Sequence, residues 1–85
     1  MHYVYMIQRI ANGSIYVGNS NALERRLSEH NSGNVTATKS LMPLRLVYYE
    51  AYLREEDALN REHKLKHHGS VIGHLKKRLK NSLLA

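Results

Sequence analysis

An arginine and a histidine, Arg26 and His30, lie one helical turn apart in a segment that also carries leucines. Because a helix advances about 100° per residue, Leu23 and Leu27 face inward, His30 lies almost over them, and Arg26 lies at the edge of the same sector. Arg25 faces the opposite way, towards solvent. A lone histidine in such a position is more often a partly buried core residue than a catalytic one. The interpretation therefore depends on what else reaches this surface.

A carboxylate is predicted to face inward from a second helix. Ala58, Leu59 and Leu65 define the inward side of that helix, and Glu62 falls within the same sector. A carboxylate aimed at a core is costly unless it is paired, so its partner is an arginine, a set of hydrogen bonds or a metal ion. An ordinary salt bridge to Arg26 or to a lysine fits the pattern equally well. With the arginine and histidine of the first helix, this carboxylate supplies the parts of a site for an anion and a metal.

The six tyrosines are the chain's only large aromatic residues, since phenylalanine and tryptophan do not occur. Most are expected to be core rings whose hydroxyl groups reach water. Tyr16 differs, because it lies close to Gly18 at the end of the strand that leads into the helix of Arg26. A glycine at such a point indicates close approach of backbone or ligand. Tyr16 is therefore expected at the candidate site.

Two strands are predicted before the first helix. Positions 2–10 are rich in β-branched and aromatic residues and are too short for a buried helix. Asn12 and Gly13 are a strong signal for a two-residue hairpin turn. The segment "SIYVG" at 14–18 then returns as the antiparallel partner.

A helix over 22–30 follows the hairpin. Asn21 is a favourable N-cap residue, and Glu24 three residues later completes a pattern that resembles a capping box. Gly33 is expected to end this region in the left-handed conformation.

The middle of the chain is predicted to be a loop followed by a third strand. "VTATKSLMP" at 35–43 is interpreted as a loop that ends at Pro43. "LRLVYYEAY" at 44–52 is apolar nearly throughout, which favours a central strand covered on both faces.

The C-terminal part is predicted to be helical. A helix over 54–67 has acidic residues in its first turn and basic residues in its last, as the helix dipole prefers, and Gly69 ends it. Ser70 is expected to cap a third helix with one apolar stripe. That stripe consists of Val71, Ile72, Leu75, Leu79 and Leu83. The predicted fold is α/β (α+β), a small three-stranded antiparallel sheet with three helices.

Length and composition limit the class of protein. A chain of 85 residues is expected to form one domain over 1–85, and it has no cysteine for a disulfide or a thiolate zinc site. No apolar run approaches the length of a membrane helix, and a cytoplasmic location is expected. Thirteen Lys and Arg against seven Asp and Glu give a net charge of +6, which favours a polyanionic partner.

The order of these motifs resembles the GIY-YIG nuclease domain of homing endonucleases, some restriction enzymes and the N-terminal part of a nucleotide-excision-repair nuclease. "YVY" at 3–5 and "YVG" at 16–18 stand where that family has its two tripeptides. "NALERRLSEHNSG" resembles the family's arginine helix, and "LRLVYYEAY" followed by "ALNREHKLK" resembles its third strand and glutamate helix. The match covers roughly positions 2 to 80 and is closest to the small stand-alone bacterial members. Tyr3 replaces the first glycine, and Ser20 stands where many members have threonine.

The resemblance implies a role for each matched residue. Tyr16 would be the general base or would orient the attacking water, with Tyr5 beside it. Arg26 would stabilise the charge on the phosphorane, and His30 would assist nearby. Glu62 would be the sole protein ligand of one divalent ion, Mg²⁺ or Mn²⁺.

The implied activity is metal-dependent hydrolysis of phosphodiester bonds in nucleic acid, expected to be DNA. The enzyme would be an endonuclease linked to DNA repair or recombination, and selection of DNA structure rather than sequence is expected, since the small domain shows no recognition helix or base-reading motif. With one inward carboxylate, a two-metal site is not expected. The lysine-rich C-terminal surface would supply non-specific phosphate contacts.

Three alternatives remain open at this point. The chain could be a catalytically weak or inactive nucleic-acid-binding module of the same fold. It could be a subunit that docks on a larger protein through the apolar C-terminal "SLLA". The spacing of His63, His67, His68 and His74 could instead provide a histidine metal site.

Overall fold

A computed structural model describes residues 1–84, with side chains described for 1–83. This part of the chain forms three β-strands, four α-helices and one 3₁₀-helix. In chain order they are β1 (His2–Arg9), β2 (Ile15–Ser20), α1 (Leu23–Asn31), the 3₁₀-helix (Thr36–Leu41), β3 (Leu44–Tyr52), α2 (Glu55–His67), α3 (Gly69–Arg78) and α4 (Lys80–Leu84). The predicted fold class, a three-stranded antiparallel sheet with helices, is confirmed. No helix in the described part is long and apolar enough to cross a membrane.

The strand order in the sheet is β2-β1-β3, and both pairings are antiparallel. The prediction that the third strand is central was wrong, because β1 occupies the centre and β3 forms an edge. Tyr49 of β3 is 52% exposed and Leu46 is 36% exposed, where α1 leaves part of the sheet uncovered. A continuous apolar run indicated burial on both faces, but tyrosines tolerate partial exposure, since the ring packs while the hydroxyl group stays in water.

The two faces of the sheet have separate cores. On one face, Val4, Met6 and Val17 pack against α2 and α3 through Ala58, Leu65 and Leu75. On the other face, Tyr5, Ile7 and Leu44 pack against α1, the helix of the predicted site. Side chains alternate along β1, so Tyr5 projects towards α1 while its neighbours in the chain project towards α2.

The hairpin turn is longer than predicted. The Arg9 N–H donates to the Ser14 carbonyl at 2.8 Å, so positions 10–13 form a four-residue loop instead of a two-residue turn at Asn12 and Gly13. Gly13 has φ +77°, which supplies the left-handed step. The Asn12 side chain accepts from the Ser14 N–H at 3.0 Å, so this asparagine stabilises the loop locally.

The start of α1 also differs from the prediction. Asn21 does not cap the helix and forms no capping box with Glu24, because the N-cap position falls on Ala22, which makes no side-chain cap bond. The Ser20 hydroxyl instead accepts from the Ala22 N–H at 3.0 Å. Gly33 has φ +79°, which confirms the predicted left-handed residue after the helix.

The predicted loop before β3 contains the 3₁₀-helix, and its Thr38 is fully buried. α2 begins one residue later than predicted and ends at His67 as predicted. Gly69 does not terminate a helix and Ser70 does not cap one, because α3 already begins at Gly69 after a single extended residue, His68.

The predicted third helix divides into α3 and α4 at Leu79. The predicted apolar stripe is confirmed, since its residues pack on the core between the sheet and α2. Leu83 belongs to this core, and its carbonyl accepts from the Gln8 side chain at 3.1 Å. Of the predicted docking tail, Ser82 is exposed and Leu83 is packed, whereas the Leu84 side chain and Ala85 lie outside the described residues.

Candidate active site

A buried pair of rings lies between β1 and α1. The hydroxyl group of Tyr5 lies 2.7 Å from Nε2 of His30, and Nδ1 of His30 lies 2.6 Å from the Thr38 hydroxyl. His30 has no exposed surface and Tyr5 is 1% exposed. Burial lowers the pKa of His30, and the nearby Arg26 guanidinium acts in the same direction. His30 is therefore a neutral imidazole that donates from one ring nitrogen and accepts at the other.

Gly18 makes room for this arrangement. It lies opposite Tyr5 in the β1–β2 register, and a β-carbon at Gly18 would overlap the Tyr5 hydroxyl and lie 2.6 Å from Cζ. The sequence predicted close approach of backbone or ligand at this glycine. The group that approaches is the side chain of Tyr5.

Arg26 lies close enough to the Tyr5 hydroxyl for each group to affect the ionisation of the other. Burial raises the pKa of Tyr5 above its ordinary value, although the Arg26 guanidinium acts to lower it. Tyr5 is therefore a neutral phenol at neutral pH. One Arg26 nitrogen lies 3.4 Å from a Glu29 oxygen, and the Arg26 side chain is 36% exposed. Its guanidinium thus keeps a solvent-facing side that could receive an anion.

Tyr16 of β2 packs against the ring of His30. Its ring centroid lies 5.5 Å from that of His30 in an edge-on arrangement. The Nζ atom of Lys66 lies 5.4 Å from the Tyr16 ring centroid. Tyr16 is half-buried, so its ring contacts an imidazole and an ammonium group while part of it remains open to water.

Glu62 of α2 reaches the same edge of the sheet. Asn19 donates its side-chain N–H to one Glu62 oxygen at 2.6 Å, and Lys66 Nζ lies 3.1 Å from the other. The Glu62 side chain is 15% exposed. The sequence required a partner for this carboxylate, and the partners are an amide and a lysine rather than Arg26. Leu59, which was predicted to face inward beside it, is 45% exposed.

The five predicted site residues therefore lie in one region, contributed by β1, β2, α1 and α2. Lys66 contacts both Glu62 and Tyr16, Tyr16 packs on His30, and His30 bonds to Tyr5. The charges of Tyr16 and Glu62 both act to raise the pKa of Tyr5, which is consistent with this proximity. His30 lies behind the two tyrosines, away from solvent.

A cleft of about 300 Å³ lies next to this cluster, between β2, α2 and α3. Tyr16 and Lys66 line one end of the cleft, and Lys76 of α3 lines another part. A larger groove of about 700 Å³ between α1 and the uncovered part of the sheet contains none of the five predicted site residues. Of the five predicted site residues, Tyr16 lines the smaller cleft, and Lys66 and Lys76 give that cleft a positive lining.

Three further residues of this region, Lys66, Asn19 and Thr38, were not predicted from the sequence. Lys66 could have been found, since a lysine four residues after a glutamate on a helix faces it. Asn19 directly follows the tripeptide with Gly18, but its contact with α2 depends on tertiary packing. Thr38 gave no signal, because it lies in a segment interpreted as a loop.

A second polar cluster was also missed. Glu50 of β3 receives hydrogen bonds from the hydroxyl groups of Tyr48 and Tyr52 and from Arg61 of α2, whose Nε lies 3.0 Å from one oxygen. Burial acts to raise the pKa of Glu50, but these bonds lower it below its ordinary value. Burial and the Glu50 contact raise the pKa of Tyr52 to about 12. Each polar side chain of this cluster has a hydrogen-bond partner within it, and the contact of Arg61 with Glu50 ties α2 to β3.

The histidine metal site is not formed. The rings of His63 and His67 lie 4.5 Å apart on the exposed side of α2. Within residues 1–84, however, no group of three or more His, Cys, Asp or Glu side chains is placed to hold a metal ion.

A single divalent ion at Glu62 fits the residues present. A hard cation that keeps most of its water needs only one or two protein oxygens, and Glu62 offers a carboxylate already oriented by Asn19. The Lys66 ammonium group beside it shows that a positive charge is accommodated at this point.

One family model matches most of the chain. The model of the GIY-YIG catalytic domain matches residues 1–76 of the chain. The chain therefore belongs to the GIY-YIG family.

Its relatives include small proteins of one group within this family. A UPF0213 protein of Bacillus pumilus is 36% identical over 66 residues, which are 76% of this chain and 66% of the relative. A UPF0213 protein of Haloquadratum walsbyi is 38% identical over the same share of this chain and 73% of its own length. The solution NMR structure of a UPF0213 protein from Bacillus halodurans is 32% identical and superposes with a TM-score of 0.57, covering 93% of this chain and 84% of that one.

Proposed function

We propose that this protein is an endonuclease that hydrolyses phosphodiester bonds of nucleic acid at the edge of β2, with DNA as its substrate. The observation that supports this most strongly is that Tyr16, Arg26 and Glu62, which lie on three different elements, all reach one buried pair, Tyr5 and His30, or the lysine beside it. Membership of the GIY-YIG family supports a nuclease activity and a nucleic-acid substrate. We also propose that the protein acts in the cytoplasm.

Each residue has a distinct part in the proposed reaction. The Tyr16 hydroxyl accepts a hydrogen bond from the attacking water and orients it, and the proton of this water passes to solvent as the water oxygen bonds to phosphorus. Arg26 binds the phosphate and stabilises the negative charge that develops as the water oxygen bonds to phosphorus and the bond to the leaving oxygen breaks. Glu62 would hold one Mg²⁺ or Mn²⁺, which supplies Lewis-acid stabilisation of the phosphate and of the leaving oxygen.

The buried residues position those that react. His30 packs on the Tyr16 ring and bonds to Tyr5, and Tyr5 in turn lies beside Arg26. Because His30 has no exposed surface, we assign it and Tyr5 to the orientation of Tyr16 and Arg26 rather than to contact with the nucleic acid. Asn19 performs the same task for Glu62.

The substrate class is proposed from the positive charge of the surface beside the cleft. Lys76 lines the cleft next to Tyr16, and Lys77 and Lys80 continue the positive surface on α3 and α4. These lysines suit contacts with phosphates and do not present a base-reading helix. We therefore propose selection by DNA structure, as expected of an enzyme of repair or recombination.

A cleavage assay tests the proposed function. Purified protein is incubated with Mn²⁺ or Mg²⁺ and a panel of linear, nicked, flapped and branched DNA, and Glu62→Gln is compared with the control Glu56→Gln, an exposed glutamate on the same helix. We expect Glu62→Gln to lose metal-dependent cleavage while binding DNA as tightly as Glu56→Gln. Binding without cleavage by the unaltered chain would instead support an inactive binding module, and equal cleavage by both variants would exclude the assigned role of Glu62.

A further inference from the structure

Lys66 occupies the position at Glu62 that a bound cation would need. Its Nζ lies 3.1 Å from one carboxylate oxygen, and Asn19 binds the other oxygen at 2.6 Å. Both oxygens therefore already have a partner. A glutamate four residues before a lysine on a helix is a favourable pair, and on an open surface it would need no further explanation.

Two observations distinguish this pair from an ordinary surface ion pair. The Glu62 side chain is only 15% exposed and is held by a residue of another element, so it has little freedom to turn towards a second cation. The same Lys66 ammonium group lies 5.4 Å from the ring centroid of Tyr16, where an aromatic face favours a cation. Lys66 is thus held at the site by two groups that belong to the proposed reaction.

The lysine itself can leave this position. Its side chain is 39% exposed and has a flexible four-carbon stem, whereas Asn19 holds the carboxylate and His30 packs on the ring. Two positive charges beside one carboxylate repel each other strongly in a partly buried site. The Lys66 ammonium group therefore opposes a divalent ion at Glu62 for as long as it keeps its contact with the carboxylate.

We propose that Lys66 is the resident counter-ion of Glu62, and that a divalent cation binds only by displacing its ammonium group. The inference rests on the proposed function, in which Glu62 is the metal ligand. Lys66 compensates the charge of the carboxylate before the metal arrives and keeps it oriented. The cost of breaking the pair weakens metal binding in the absence of nucleic acid.

The test is a direct measurement of metal affinity, which needs no catalytic activity. Mn²⁺ is titrated into the unaltered chain, Lys66→Met, Lys66→Gln and Glu62→Gln, and free Mn²⁺ is followed by electron paramagnetic resonance. Lys64→Met is the matched control, since Lys64 is exposed on the same helix and its replacement removes the same charge. Circular dichroism verifies that each variant is folded, and the two Lys66 replacements serve as independent tests.

We expect Lys66→Met and Lys66→Gln to bind Mn²⁺ about three- to fivefold more tightly than Lys64→Met, the range that corresponds to loss of a partly exposed ion pair. Glu62→Gln is expected to lose this binding. Equal affinities of the Lys66 and Lys64 variants, with binding still lost in Glu62→Gln, overturn the role of Lys66 and leave the proposed function standing. Binding that is indifferent to Glu62→Gln, or absent from every variant, overturns the metal role of Glu62 and this inference with it.

Discussion

At the scale of single residues, the arrangement of Tyr5 depends on the missing side chain of Gly18. The Tyr5 ring passes over this position in the sheet and reaches His30, whose other nitrogen is held by Thr38. The glycine is needed for space and not for its backbone angle, since its φ is not positive. A substitution here acts on the site through Tyr5.

Replacement of Gly18 by alanine is expected to destabilise the protein by about 1–3 kcal/mol, because the added methyl group forces Tyr5 away from its position. The free energy of unfolding in urea measures this effect. Gly73→Ala is the control, since a β-carbon at Gly73 meets nothing within 4 Å and α3 favours alanine. A Gly18→Ala variant as stable as Gly73→Ala would show that Tyr5 does not occupy this space.

The buried His30 predicts a pH dependence of stability. Its pKa is lowered in the folded protein by burial and by Arg26, whereas the unfolded chain takes up the proton near the ordinary value of about 6.5. Between these two pKa values the unfolded state binds more protons, so the contribution of His30 is complete above about pH 6.5 and is lost as the pH falls below it.

The free energy of unfolding is therefore expected to decrease between pH 7 and pH 5, and this decrease should be smaller in His30→Gln. His74→Gln, which replaces an exposed histidine, should retain the decrease of the unaltered chain. The same pH dependence in both variants would contradict a neutral, buried His30.

At the scale of elements, β3 is tied to α2 by the Glu50 cluster. Arg61 binds both carboxylate oxygens, and its side chain and that of Glu50 are 27% and 15% exposed. Tyr48 and Tyr52 complete the shell of hydrogen bonds. Because β3 is an edge strand, this cluster helps to fix α2, and with it Glu62, against the sheet.

Replacement of Arg61 by methionine leaves Glu50 partly buried without its cation, and we expect a loss of about 2 kcal/mol in the free energy of unfolding. The exposed Lys64→Met removes the same charge from the same helix and should change stability by no more than about 0.5 kcal/mol. Urea unfolding of both variants measures the difference. Equal stabilities would mean that the Arg61 contacts contribute nothing net.

The sequence predicted the elements better than their arrangement. The three strands, α1 and α2 were found because hydrophobic periodicity is a local signal. The central position of β1 in the sheet was not predicted, since strand order depends on long-range packing. The apolar run of β3 is compatible with a central strand and also with a partly exposed edge strand. The division between α3 and α4 at Leu79 lacks a glycine or proline to mark it.

The candidate site was predicted only in part, because helical spacing is a local signal and some contacts of the site depend on long-range packing. The inward direction of Glu62 and His30 followed from helical spacing, and both side chains are largely or fully buried. The contacts of Asn19 with Glu62 and of Thr38 with His30 join different elements and could not be found from periodicity. The catalytic roles remain predictions.

At the scale of the whole molecule, the net charge of +6 is distributed unevenly. Four of the basic residues lie close together near the C-terminus, on α3 and α4, and Lys76 also lines the cleft beside Tyr16. The proposed site therefore lies next to a positive surface along which a nucleic-acid backbone can be bound.

We expect Lys76→Ala/Lys77→Ala to weaken DNA binding and to make its salt dependence less steep, by up to about two in the slope of log K against log [salt]. The double variant Lys39→Ala/Lys64→Ala removes the same charge from exposed positions elsewhere and should change the slope less. Fluorescence polarisation of a labelled duplex at several salt concentrations measures both. Identical slopes would show that net charge alone, and not this surface, determines the affinity.

The most direct test of the central claim is whether Tyr16, Arg26 and Glu62 act as one unit. Single-turnover cleavage of one labelled DNA substrate is measured for Tyr16→Phe, Arg26→Ala, Glu62→Gln and the double variant Tyr16→Phe/Glu62→Gln. Each single variant is expected to lose at least about 100-fold in rate, and the double variant should be little slower than the slower of its two parents. Losses that multiply in the double variant, or single variants that cleave at the rate of the unaltered chain, would contradict a shared site.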